Sequence, residues 1–161
     1  MRANRSADPD GGDWTAQAVE AAAIRLLTRR EHSRAELVRK LGARGAPADL
    51  VEQVLDALVA QRLQSDGRYA EALVTSRVGR GQGPVRIRRE LADKGVVPAH
   101  IDAALEACEA DWFELARETR RRRFGAAAPG DWTERGRQAR FLEYRGFSGE
   151  QIRHALGGND E

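Results

Sequence analysis

The chain has 161 residues, 41% hydrophobic and 32% charged, with a formal net charge of +2. This balance suits one ordinary globular domain or several very small ones, and it excludes intrinsic disorder. No apolar run approaches the roughly 20 residues that cross a bilayer, and the single cysteine, Cys108, excludes an intrachain disulfide.

Residues 1–12 hold Pro9 and the Gly11-Gly12 pair with little apolar content, and are expected to form a flexible arm. The arm is polar and carries both charge signs, unlike a secretory or transit leader. With the lone cysteine, it leads to the expectation of a cytoplasmic protein. Asp13 is placed to cap a helix over 14–30, with Val19, Ala22, Ala23, Leu26 and Leu27 on one side. Ser33 and Glu36 form a capping box that starts a short helix through Leu37, Val38 and Leu41, ended near Gly45. Pro47 suits the first turn of a third helix, which runs through Val51, Val54, Leu55, Leu58 and Val59 to about Leu63.

The pattern recurs. Asp66 is read as the cap of a helix to about Arg80, with Tyr69, Ala72, Leu73 and Ser76 on one face. Gly81 and Gly83 interrupt the chain, Pro84 opens a short helix ending at Gly95, and Pro98 opens another carrying Ile101, Ala104, Leu105 and Cys108 inward. Asp111 with Glu114, Asp131 with Glu134, and Ser148 with Gln151 start three further helices. The first has Trp112, Leu115, Ala116 and Thr119 on its buried side, the second carries Ala139 and Leu142, and the third Ile152 and Leu156. No stretch shows sustained period-two alternation, so no sheet is expected.

An internal repeat orders these helices. Leu41, Gly45, Val51 and Leu55 share their spacing with Leu91, Gly95, Ile101 and Leu105, and again with Leu142, Gly146, Ile152 and Leu156. The leucine packs inward, the glycine takes the left-handed turn that ends a helix, and the last two residues share a face of the next helix. The expected fold is therefore all-α: three tandem three-helix modules, at 13–64, 65–108 and 109–156, between the arm and a tail at 157–161. A unit of this size buries little surface alone, so the modules are expected to stack into an elongated, curved, solenoid-like body.

Catalytic chemistry finds no support. His32, His100 and His154 have no metal-ligand spacing, Cys108 reads as a small core filler, and His154 reads as a surface residue. Gly79, Gly81 and Gly83 lack a preceding strand and the Walker lysine, and read as a loop between helices. No enzyme, metal or cofactor is expected. Of the basic residues only Lys40 and Lys94 are lysines, and two clusters stand out. Arg77, Arg80, Arg86, Arg88, Arg89 and Lys94 form one, and Arg117 with Arg120, Arg121, Arg122 and Arg123 the other.

These clusters are either solvated faces whose stems shield small cores, or a lining for phosphate or acidic protein. Arg86 and Arg89 should share an outer face, Arg88 should flank the next module, and not all of the second cluster can face one way. The third helices begin Pro47-Ala48-Asp49, Pro98-Ala99-His100 and Ser148-Gly149-Glu150, without the base-reading arginines of a helix-turn-helix.

Asp66, Tyr69, Ala70, Glu71 and Ala72, then Ser76-Arg77, then Gly81, Gly83, Pro84, Ile87, Glu90, Leu91, Lys94 and Gly95 together resemble the central motif of the RecX family. The similarity runs from about Ala22 to Leu156 and includes Arg145-Gly146-Phe147-Ser148. Ser65 stands where the family usually has a first acid, and Tyr69 where it often has Phe. The resemblance implies tandem three-helix modules and a non-enzymatic, cofactor-free regulator of the RecA recombinase. Such a regulator binds in the groove of the RecA–DNA filament and inhibits or destabilises it, modulating recombination, repair and the SOS response. A monomer is expected, with direct weak DNA binding and no membrane partner. The competing readings are a nonspecific DNA-binding helical-repeat protein without a dedicated protein partner, and a structural scaffold.

Overall fold

The computed structural model describes residues 13–157, so the arm at 1–12 and the tail beyond Gly157 lie outside the described residues. The described residues form nine α-helices and no strand element: α1 (Ala16–Arg29), α2 (Arg34–Ala43), α3 (Ala48–Ala60), α4 (Asp66–Gly79), α5 (Pro84–Asp93), α6 (Pro98–Ala107), α7 (Trp112–Phe124), α8 (Trp132–Tyr144) and α9 (Gly149–Ala155). Helix packing is concentrated within consecutive triplets, α1–α3, α4–α6 and α7–α9.

Each triplet closes its own core. The first holds Val19, Leu37, Leu41, Val51, Leu55 and Leu58; the second Tyr69, Val74, Ile87, Leu91 and Ile101; the third, smaller, Ala116, Leu142, Phe147 and Ala155. Trp112, at the start of α7, packs on the second core and ties the third module to it. The fold is a tandem array of three three-helix modules.

The repeated residues do what their spacing requires. Leu41, Leu91 and Leu142 are fully buried. Gly45, Gly95 and Gly146 take φ of 92°, 78° and 95°, the left-handed turn that frees a helix end.

The second helices of the modules, α2, α5 and α8, meet end to end. The Ser33 hydroxyl at the start of α2 donates to the Lys94 carbonyl at the end of α5, at 2.8 Å. At the other junction the Gly83 and Val85 amides donate to the Arg145 and Gly146 carbonyls, at 2.8 and 3.0 Å. The unpaired donors of one helix start thus meet the unpaired acceptors of the next helix end, with dipoles aligned. A Cβ on Gly95 would collide with that of Ala35, and one on Gly83 or Gly146 with facing backbone. The glycines are needed for this close approach as well as for the turn.

Several local expectations are corrected. Thr15, not Asp13, caps α1, its hydroxyl accepting from the Ala18 amide. Ser65 caps α4 by accepting from Arg68, while Asp66 occupies the first helical position and turns to module 1. Pro47 sits at the cap of α3, one residue before the first turn, and α3 ends at Ala60 because Arg62 turns left-handed at φ 60°. The buried side of α4 is Tyr69, Ala70, Leu73 and Val74, which leaves Ala72 and Ser76 exposed, and Val59 is exposed too.

Asp111 and Asp131 cap their helices without the reciprocal bond of a capping box, since Glu114 and Glu134 turn to Arg117 and Arg137 instead. Cys108 is half-buried, its thiol donating to the Leu105 carbonyl, and His154 is half-buried edge-on to Phe113.

Candidate functional site

The sharp break after α4 and the end-to-end contact of α5 with α8 open a groove of about 1160 Å³ between modules 2 and 3. One wall is the outer face of α5, with Val85, Arg86, Arg89 and Asp93; the other is the end of α8, with Arg140, Glu143 and Tyr144. Arg77, Arg80, Gln82 and Glu90 close it on the α4 side, and Phe147 and Ser148 on the α9 side.

The arginines of the groove differ in how free they are. Arg77 is bound to Glu90 by two hydrogen bonds, 2.9 Å from Nε and 2.5 Å from Nη2, and its side chain is only 19% exposed. Those bonds hold the Glu90 carboxyl below its ordinary value and raise the Arg77 guanidinium. Arg86 lies over the Tyr144 ring at 5.2 Å and donates to the Tyr144 carbonyl at 3.4 Å. Arg80 and Arg89 are exposed, and neither side chain has a partner among the described residues. The groove therefore offers unspent guanidinium groups beside a stacked aromatic, a setting for an anionic, planar or backbone-rich partner. Gln82 lies almost wholly buried with its Oε1 unpartnered.

The remaining expected residues are dispersed. Arg88 turns to α6 and pairs with Asp102 at 2.6 Å, within its own module and not toward the next. The Lys94 side chain enters a separate cleft of about 400 Å³ between modules 1 and 2, with Arg30, Tyr69 and Ser76. Burial pushes the Tyr69 phenol there up to about 12. Of the α7 cluster, Arg120 is buried, donating to the Ala127 carbonyl and to Gln138 Oε1 at 3.1 Å each. Arg122 pairs with Glu118, Arg123 lies over Phe124, and Arg121 is exposed beside a small cleft next to His154. Arg117, Arg120 and Arg121 border this small cleft, apart from the groove lined by Arg77, Arg80, Arg86 and Arg89.

The motif residues hold the frame. Ile87 and Leu91 are fully buried, Tyr69 nearly so, and Gly83 with Pro84 forms the start of α5 against α8. The amides of the glycine loop are spent, Gly81 on Val78, Gln82 on Arg77 and Gly83 on Arg145, so none is left to cradle a phosphate. Sequence reasoning passed over Arg140 and Tyr144, and named Arg145 only among the residues of the family resemblance. A signal for Arg140 existed: it stands two residues before Leu142, as Arg89 stands before Leu91. Arg145, which donates to the Arg80 carbonyl and lies over Phe141, is marked too: it stands directly before Gly146, as Arg44 and Lys94 stand before Gly45 and Gly95.

Family models describing the first, second and third three-helix domains of RecX match residues 21–58, 65–105 and 109–156. The chain belongs to the RecX family. It is 52% identical over 145 residues to the regulatory protein RecX of Halorhodospira halophila, covering 90% of each chain. It is 48% identical over 144 residues to that of Ectopseudomonas mendocina, covering 89% of this chain and 96% of that one.

Two solved RecX structures share the fold. A crystal structure of regulatory protein RecX gives a TM-score of 0.74 at 23% identity, covering 89% of this chain and 72% of that one. RecX from Lactobacillus salivarius gives 0.72 at 22%, covering 88% and 94%. The curated RecX relatives are named as regulatory proteins, and no helix of the described residues is long and apolar enough to cross a membrane.

Proposed function

We propose that this chain regulates the RecA recombinase without chemistry of its own, by seating in the groove of the RecA–DNA filament and inhibiting or destabilising it. The observation that carries this reading is the groove between modules 2 and 3, where Arg80 and Arg89 are exposed and Arg86, half-buried, lies over Tyr144. These three arginines meet phosphate or acidic protein. Arg77 holds Glu90 and shapes the groove from behind, and Lys94 and Arg121 extend the contact from neighbouring clefts. Arg88 and Arg120, spent on Asp102 and Gln138, serve the frame.

A tandem array touches several filament subunits at once, so weak contacts at single modules add to tight binding through effective concentration. The chain acts as a monomer in the cytoplasm, and slowed strand exchange and RecA ATP hydrolysis follow from occupancy alone. The test is inhibition of RecA strand exchange by the wild-type chain and by the double variant Arg86→Glu, Arg89→Glu, with thermal melting as the check on folding. The wild type is expected to inhibit and the folded double variant to lose most of its potency. A wild type without effect on strand exchange, or a folded double variant of full potency, overturns the reading.

A further inference from the structure

Aligning the three repeats on their leucines puts an arginine at one position in every module. Arg39, Arg89 and Arg140 each stand two residues before Leu41, Leu91 and Leu142. Two residues along an α-helix are about 200° around its axis. In α5 the fully buried Ile87 and Leu91 flank Arg89 on either side, so Arg89 points straight away from the core. Leu37 and Leu41 place Arg39 likewise on α2, and the buried Gln138 and Leu142 place Arg140 on α8. All three are exposed, and among the described residues none makes a side-chain hydrogen bond, ion pair or ring contact. Arg34, Arg77 and Arg88 in the same modules are all paired.

Because α2, α5 and α8 meet end to end, these positions recur along one column. Their step is at least the roughly 15 Å length of a ten-residue helix. Approach is open at Arg39, where nothing lies within 4 Å of a Cβ placed on Gly42; small Ala92 and Gly136 stand one turn from Arg89 and Arg140, as do the carboxylates of Asp93 and Glu143.

We propose that Arg39, Arg89 and Arg140 form a ladder along the column of second helices that takes a nucleic-acid backbone, one arginine to each module. The proposal deepens the filament reading and rests on it for the presence of nucleic acid. A ligand that meets the same group at every step must itself be periodic on a scale of tens of ångströms or less. A phosphodiester chain is so at every nucleotide. A folded protein subunit of 100 residues, with a radius of gyration near ~13 Å, is wider than one step and presents its acids without that repeat. The guanidinium fork also matches two phosphate oxygens, where an ammonium would act as a point charge. Arg39 and Arg140, outside the central cluster, become part of the binding machinery.

The test uses the full chain without recombinase and a labelled oligo(dT) long enough to span three modules, with binding read by fluorescence anisotropy over a range of salt. Each of Arg39→Ala, Arg89→Ala and Arg140→Ala is expected to reduce the slope of log affinity against log salt by about 0.7, with a roughly twofold to fivefold loss of affinity, and the triple variant by about 2. Arg137→Ala, one turn away on α8 and paired with Glu134, is expected to change little. The ladder is overturned if Arg39→Ala behaves like Arg137→Ala, if the three losses do not add, or if polyglutamate of equal charge displaces the oligonucleotide as well as unlabelled oligo(dT) does. It is also overturned if the wild type fails to bind oligo(dT), a result that leaves inhibition of strand exchange to be judged by its own assay. A ladder that binds oligo(dT) as expected in a chain that does not inhibit strand exchange sinks the regulatory reading alone.

Discussion

The Asp66 carboxylate accepts a hydrogen bond at 2.8 Å from the backbone amide of Arg34, the first residue of α2 in the preceding module. The same oxygen accepts from Gln64 Nε2 at 2.9 Å, and Gln64 also donates to the His32 carbonyl at 3.1 Å. The motif aspartate thus satisfies an unpaired amide at another helix's start, where the dipole favours negative charge. It joins two modules, and the capping of its own helix falls to Ser65.

Asp66→Ala is expected to lower unfolding free energy by about 1–2 kcal/mol, because it leaves the Arg34 amide and Gln64 without their acceptor. Asp66→Asn keeps one acceptor oxygen and should recover part of the loss. Chemical denaturation of the three chains checks this, and a neutral Asp66→Ala would show that the junction does not depend on the bond.

Gly125 and Gly146 both have positive φ, 88° and 95°, but their surroundings differ. A Cβ on Gly125 meets nothing within 4 Å, whereas one on Gly146 runs into the backbone of Arg86. Gly125→Ala should cost about 1–3 kcal/mol, for an extended backbone at φ 88° and ψ 179° that glycine alone adopts readily. Gly146→Ala should cost roughly 1–3 kcal/mol more, because the start of α5 must move away from α8. Equal costs in denaturation would mean that the junction is looser than its geometry.

Much of the frame was legible because it repeats. The leucine and glycine of each module obey local rules, helix periodicity and the left-handed helix end, so Leu41, Leu91, Leu142 and their glycines fell where expected. What was not legible lies between modules. Nothing in the spacing of Asp66 shows that its partner is Arg34, and nothing around Gly146 shows Arg86 opposite it. Charge clusters misled for a related reason. Arg77, Arg88 and Arg120 look alike in sequence to Arg89, and only tertiary packing gives the first three a partner in Glu90, Asp102 and Gln138. The buried face of α4 differs from the expected one because Ala70 and Ala72 are equally small and apolar, and the core of module 2 takes Ala70.

Arg77→Ala should therefore act on stability as well as binding. It leaves Glu90, 27% exposed, without its guanidinium, and the expected loss is about 1–2 kcal/mol, less than for a fully buried pair because water still reaches the carboxylate. Arg89→Ala should stay within about 0.5 kcal/mol of wild type, as expected for an exposed residue. Melting curves of both variants decide, and an Arg77→Ala chain as stable as Arg89→Ala would contradict the structural role.

Acid should destabilise module 1. His32 is buried, its Nδ1 3.0 Å from the Arg30 carbonyl and its Nε2 3.2 Å from Lys40 Nζ. The lysine donates, so Nε2 accepts and the neutral Nδ1–H form fits. Burial pushes the imidazole below its ordinary 6.5. Burial pushes the Glu36 carboxyl up, but hydrogen bonds from Arg30, and the charges of Arg30, His32 and Lys40, outweigh it and leave the group below its ordinary 4.5.

For both groups the unfolded chain binds more protons, so their stabilisation is complete above the unfolded values and declines as pH falls through the folded ones. The melting temperature should fall as pH drops below about 6.5 with the His32 contribution, and fall further below about 4.5 with Glu36. Replacing His32 by Gln should flatten the upper part of that profile. An unchanged profile in this variant would locate the titration elsewhere.

The most direct measurement of the central claim compares binding of the full chain to single-stranded DNA alone and to the same DNA coated with RecA in a nonhydrolysable ATP analogue. Tighter binding to the coated strand is expected, with that gain lost in the folded Arg86→Glu, Arg89→Glu variant. Equal affinity for bare and coated DNA, or a double variant that keeps the full gain, would contradict it.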